Sequence, residues 1–251
     1  MALQKGLIKL KGTMGDITFY RTKEGYAARE KGGVDGNRIA NDPAFQRTRE
    51  NGAEFGRAGK AGKVLRTAFR PLLIQAKDKR MVGRLTKEMV LVIQADSINE
   101  RGKRNVIDGE AELLKGFEFN ALGTLGTSLF APFESSIDRV TGELSVTFEP
   151  FVPSNMVVAP PGTTHFKIMT GGAAIDFENE TYEASSSETA ILPWTGAPTL
   201  PINLVNMVSA NSTHPLFLTL GITFYQEVNG FMYAMKNGSF NPLSMIEVSG
   251  L

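Results

Sequence analysis

From residue 121 onward the chain loses any helical period and its apolar residues alternate with polar ones. Leu144, Val146 and Phe148 interleave with Ser145, Thr147 and Glu149, and Phe166 and Ile168 flank Lys167. A period of two is that of strands buried on one face. Asn229-Gly230 and Asn237-Gly238 separate the apolar-rich runs 216–227, 231–235 and 243–248, and Asn-Gly in that setting predicts tight hairpins. Further turns are expected at Thr141-Gly142, Pro160-Pro161-Gly162, Gly171-Gly172 and Gly196. At this rhythm the segment predicts an antiparallel β-sandwich of about seven or eight strands.

The preceding segment, 42–120, reads as helical. Asp42 is placed to accept hydrogen bonds from the free first-turn N–H groups, and Pro43 stands where its missing N–H costs nothing. Along this first helix Phe45, Gly52, Phe55, Gly56 and Gly59 recur at spacings of three and four, apart from the seven-residue step to Gly52. Each interior glycine costs about 1 kcal/mol against alanine, so the pattern predicts something packed close against the backbone. A second helical stretch, 64–70, runs into Pro71 and should kink or stop there. A third, 79–95, carries Val82, Leu85, Met89, Val92 and Ile93 on one stripe. A short fourth is expected over 110–117, with Asp108 as its cap.

Residues 1–41 read as a three-strand meander, 7–10, 17–21 and 26–29, followed by a flexible hinge at 32–37. Strands this short bury too little to stand alone, so the segment must rest on the rest of the chain or on a neighbouring subunit. The expected organisation is α+β: an N-terminal β arm and hinge (1–41), a basic helical segment (42–120) and an antiparallel β-sandwich (121–251).

The charge balance conceals a split. Over 251 residues, 27 Lys+Arg face 26 Asp+Glu. Residues 1–105 carry 23 basic and 11 acidic side chains, net +12, while 106–251 carry 4 and 15, net −11. Such asymmetry fits a nucleic-acid contact, a basic arm, or a head-to-tail fit between copies of one chain. The chain has no cysteine, which excludes disulfides, thiol nucleophiles, iron–sulfur clusters and Cys-ligated zinc. Lys5, Lys9 and Lys11 precede any useful apolar run, so no secretory leader is expected. The best apolar run, 89–93, is far below the ~18 residues of a membrane helix, so no membrane span is expected.

No catalytic constellation emerges. The stretch 56–64 approaches a phosphate-binding loop, but Arg57 replaces the required first glycine, Val64 the hydroxyl, and the segment lies within a helix. His165 and His214 are 49 positions apart and neither has a second ligand at metal-binding spacing. There is no Gly-x-Ser-x-Gly elbow, and Asp176, Glu178 and Glu180 read as a solvated strand edge. The expectation is a non-enzymatic protein with no cofactor and no metal. The basic run Arg66, Arg70, Lys77, Lys79, Arg80, Arg84 and Lys87 is dense enough for nonspecific nucleic-acid contact, without a recognition motif beside it.

The segment Gly12-Thr13-Met14-Gly15-Asp16-Ile17-Thr18-Phe19-Tyr20-Arg21, with Gly25-Tyr26-Ala27-Ala28-Arg29 and the stretch from Asp42 to Asn51, resembles the N-terminal signature of structural-protein families of Bacteroidota phages and prophages. The likeness spans about the first 80 residues. It implies a virion component, supplies no catalytic residues, and places assembly in the bacterial host cytoplasm. The expected function is a phage capsid, neck-ring or tail protein forming a homo-oligomer and meeting neighbouring virion proteins. Expected subunit contacts are Phe19, Tyr20, Arg21, Tyr26 and Arg29 in the arm. On the helix they are Phe45, Gly52, Phe55, Gly56 and Gly59. Two other classes fit parts of the sequence: a carbohydrate- or surface-binding sandwich module using Trp194, Tyr182 and Tyr225, and a nucleic-acid-associated protein.

Overall fold

The computed structural model describes residues 2–76 and 78–250; Lys77 of the basic run lies outside the described residues. The chain divides into two compact units, 1–49 and 50–251.

In the first unit, β1 (Ala2–Leu3), β2 (Gly12–Met14), β3 (Ile17–Thr22) and β4 (Gly25–Glu30) form an antiparallel sheet in the order β1-β4-β3-β2. There are four strands rather than three, and residues 7–10 form a loop instead of a strand. The reason is Gln4. Its Oε1 accepts the Leu10 N–H at 2.8 Å, and its Nε2 donates to the carbonyls of Leu10 at 3.2 Å and Ala27 at 3.1 Å. One amide thus closes the loop and ties it to β4. The hinge expected at 32–37 is partly helical: α1 (Gly36–Asn41) starts on Asp35, whose carboxylate accepts the Asn37 N–H. Asp42 opens a 3-10 turn at Pro43–Phe45, accepting the Ala44 N–H at 2.9 Å, and that donation is the main reason its carboxyl sits below the usual range.

The helix α2 (Gln46–Ala68) follows, and the second unit takes it up at Glu50. The expected second helix at 64–70 is the last part of α2. The chain leaves helical geometry at Phe69 and turns into α3 (Arg70–Leu73), where Pro71 sits in the first turn, the position that tolerates it. Next, α4 (Met81–Gln94) buries Met81, Leu85, Met89, Val92 and Ile93. Val82 is 46% exposed, because the apolar stripe begins one residue earlier than its spacing predicts. The helix expected at 110–117 is a single 3-10 turn, Ala111–Leu114, without a side-chain cap. Asp108 instead accepts from the side-chain amides of Asn99 and Asn105.

The strand-rich remainder comprises β5 (Glu134–Asp138), β6 (Glu143–Phe148), β7 (His165–Asp176), β8 (Thr181–Glu188), β9 (Leu192–Pro193), β10 (Ile202–Met207), β11 (Leu216–Val228), β12 (Phe231–Ala234) and β13 (Leu243–Ser249). One-turn helices α5 (Leu125–Ser128) and α6 (Pro153–Met156) lie in the connections. A three-stranded sheet, β10-β6-β5, faces a six-stranded one, β12-β11-β7-β8 with β13 on β11 and β9 on β7, all antiparallel. Between them Leu144, Val146, Phe148 and Leu204 meet Phe166, Ile168, Leu220 and Phe224. The other face of the six-stranded sheet, through Met169, Ile175, Phe217 and Met245, packs on Leu65, Phe69, Leu85 and Met89. Helices and sandwich therefore share buried layers, and the overall class is α+β with a strand-rich C-terminal region.

Gly171-Gly172 is not a turn. Both lie inside β7, where a Cβ on Gly171 would stand 3.1 Å from the Phe69 ring and one on Gly172 2.8 Å from Asn206 Cβ. The helical layer and the second sheet approach the strand from opposite sides, and only glycine admits both. Asn237-Gly238 does not join a hairpin either: β12 and β13 pair with successive parts of β11 and are separated by a 3-10 turn, Met235–Gly238. Asn229-Gly230 does join β11 to β12, with both residues at positive φ.

Candidate functional site

Directly opposed residues of an antiparallel pair share a face, so the arm's register sorts its side chains. Gly12 faces Phe19, Met14 faces Ile17, Arg21 faces Tyr26 and Phe19 faces Ala28. One face therefore carries Met14, Ile17, Phe19, Tyr26 and Arg21. The opposite face carries Leu3, Tyr20, Ala27 and Arg29. The structure thus splits the five arm residues singled out in the sequence between two faces. On each, a guanidinium covers a ring: Arg21 lies 5.8 Å from the Tyr26 centroid and Arg29 5.4 Å from that of Tyr20. Phe45 has a similar cover, Arg38 at 5.7 Å.

Among the described residues up to Arg49, Ala27 is the one buried residue. Met14 is 67% exposed, and Leu7 and Ile8, at the tip of the loop closed by Gln4, are fully or almost fully exposed. This is an ordered sheet with an apolar surface and without a core.

On α2, nothing lies within 4 Å of a Cβ built on Gly52, Gly56 or Gly59, and Phe55 is 62% exposed. The close approach expected at these glycines is not found; one turn later, at Gly62, a Cβ would stand in ordinary van der Waals contact with Leu85, at 3.6 Å. The buried face of α2 is Glu54, Ala58, Ala61, Gly62, Val64, Leu65 and Ala68. Glu54 is the feature the sequence reading missed. It lies four residues before Ala58 on an apolar face, and that placement was its only signal. Its carboxylate accepts from Arg104 Nε at 2.8 Å, Arg104 Nη2 at 3.0 Å and the Gly102 N–H at 2.8 Å. Burial works to raise its pKa, but the Arg104 and Gly102 donations prevail and hold it below the usual value. Asp96 organises the same loop. Burial again opposes ionisation, yet the N–H groups of Ile98, Asn99 and Asn105 and the Asn99 amide bring it to about 2.

Glu118 behaves oppositely: burial raises its carboxyl to about 7, against donation from the Leu125 N–H and Ser244, and its Oε2 is buried without a partner among the described residues. The histidines stand apart, His165 3.9 Å from Glu227 and His214 3.9 Å from Asp176. Trp194 packs on the sandwich core and donates its Nε1–H to the Val157 carbonyl at 2.9 Å, while Tyr182 is 46% exposed. No helix among the described residues is long and apolar enough to cross a membrane.

No family model matches the sequence, and no curated protein matches it. Among solved structures, the human F-spondin reeler domain is similar over 50% of this chain and 99% of its own length, at 14% identity and a TM-score of 0.17. A likeness that loose carries no argument.

Proposed function

We propose that this chain is a non-enzymatic structural protein of a phage virion, a capsid, neck-ring or tail component, that assembles with copies of itself through its N-terminal arm. The observation that carries the reading is the arm sheet. Backbone order costs about 1–2 kcal/mol per residue, and a sheet with one buried residue recovers little of this from its own side chains. Contact with another surface supplies the missing burial: Met14, Ile17, Phe19 and Tyr26 offer one apolar face, and Leu7 and Ile8 an apolar tip. The resemblance of residues 12–51 to phage structural families points the same way, as does a net charge of +5 on residues 1–49, from 10 basic and 5 acidic side chains, against −4 on the remainder.

Electron microscopy and light scattering of the full chain test the reading, together with mass spectrometry of purified virions. Discrete oligomers, lost on Ile17→Asp, are expected. A monomer at high concentration that is missing from virions refutes it.

A further inference from the structure

The fold sorts the cations of residues 50–105. Lys60 pairs with Glu180, Arg84 with Asp78, Lys87 with Glu88, Arg101 with Glu50, Lys103 with Glu100 and Arg104 with Glu54. Arg57 is spent on the carbonyls of Gly102 and Arg104. The described cations of this stretch left without a carboxylate are Lys63, Arg66, Arg70, Lys79 and Arg80, all within 63–80. Lys63, Arg66 and Arg70 line a groove of about 400 Å³ whose apolar parts include Ile74, 67% exposed, and Val82. Its carboxylate, Asp78, is already taken by Arg84 and by the N–H groups of Arg80 and Ala121.

A surface of opposite character lies on the outer face of the β10-β6-β5 sheet. Leu144, Val146, Phe148 and Leu204 point into the core, so their neighbours point out. Register sets Glu134, Ser136 and Asp138 of β5 against Thr147, Ser145 and Glu143 of β6, and these against Asn203, Val205 and Met207 of β10. Glu149 follows directly. Among the described residues Glu134, Glu143 and Glu149 have no cation partner, and Met207 is half exposed beside them.

We infer that the basic groove at 63–80 of one copy receives the acidic outer face of the β10-β6-β5 sheet of a second copy. This rests on the assembly reading above and names one of its interfaces. The cations meet Glu134, Glu143 and Glu149, while Ile74 and Val82 meet Val205 and Met207. A nucleic acid would satisfy the cations but would leave the apolar residues unmatched, which favours the protein surface. Two different patches make a head-to-tail contact, which closes into a ring or continues as a stack. Opposed charges of this kind set register and association rate and disfavour mispairing.

The test compares four full-length proteins by light scattering at low salt: wild type, Arg66→Glu/Arg70→Glu, Glu134→Lys/Glu143→Lys, and the variant combining all four changes. Each double variant should need about tenfold more protein to assemble, since like charges then face each other. The combined variant, and a 1:1 mixture of the two doubles, should assemble as the wild type does. Double variants that assemble normally, or a combined variant that stays dissociated, overturn the inference and leave the assembly reading standing. A wild type that never assembles refutes that reading itself. Duplex DNA binding lost in Arg66→Glu/Arg70→Glu with assembly unchanged would reassign the groove to nucleic acid and overturn the inference.

Discussion

Replacing Glu54 by glutamine probes the contact that fastens the 96–105 loop to α2. The carboxylate is 2% exposed and accepts three hydrogen bonds, two of them from Arg104. Removing one partner of a buried pair costs about 3–5 kcal/mol, because the other charge remains unpaired. The Arg104 side chain is 19% exposed and keeps part of its hydration, which lowers the expected loss to about 2–3 kcal/mol. For a unit of this size a urea m-value of about 2–3 kcal/mol/M turns that loss into a fall of about 1 M in the unfolding midpoint. The sign with pH follows from the lowered pKa. The ionised pair stabilises above the unfolded carboxyl's value of 4.5, and its contribution is lost as pH falls through the lower folded value. The wild-type advantage should therefore be full at pH 7 and shrink under acid. Glu54→Leu combined with Arg104→Met should regain most of the stability, since an apolar pair of similar volume needs no solvation. Urea titration by circular dichroism at pH 7 decides it. An unchanged midpoint for Glu54→Gln would refute the reasoning.

Glu118 should give the opposite pH response. With its carboxyl raised from 4.5 to about 7, the folded chain holds a proton that the unfolded chain has released, so stability falls as pH rises through that window. Glu118→Gln should be more stable than wild type by about 1–2 kcal/mol at pH 8 and should lose the advantage near pH 4.5, as read by unfolding curves at the two values. Two glycine substitutions should differ in sign. Gly172→Ala places a Cβ 2.8 Å from Asn206 Cβ and should cost about 1–3 kcal/mol through overpacking. Gly56→Ala fills open space on a helix and should stabilise the dissociated chain by about 0.5–1 kcal/mol; thermal melts of both variants check the contrast.

Local signals were legible where one residue type has one use. Asp42-Pro43 opens its helical turn as read, Asn229-Gly230 joins two paired strands, and Leu144, Val146 and Phe148 face the core on alternate positions. Signals that depend on remote partners were not. Gly171-Gly172 has the composition of a turn, and only Phe69 on one side and Asn206 on the other reveal a strand pressed between two layers. Asn237-Gly238 has the composition of a hairpin, but its flanking strands are captured by different parts of β11. Glu54 and Arg104 are 50 residues apart, and no periodicity links them. At the candidate contact surfaces, the sequence named the residues but could not assign faces. Register does this, separating Phe19, Arg21 and Tyr26 from Tyr20 and Arg29. The net charge split likewise became informative only after ion pairs were subtracted, because within residues 50–105 the cations outside 63–80 mostly pair with carboxylates of the chain.

The central claim is that the arm acquires its missing burial from a neighbouring copy. Hydrogen exchange of the backbone amides in β3 and β4, followed as the protein is diluted, measures this directly, since local protection reports the free energy of opening each segment. The account predicts slow exchange in the assembled protein and fast exchange on dilution, while the β7 and β11 amides stay protected throughout. Arm protection that is independent of protein concentration would contradict it.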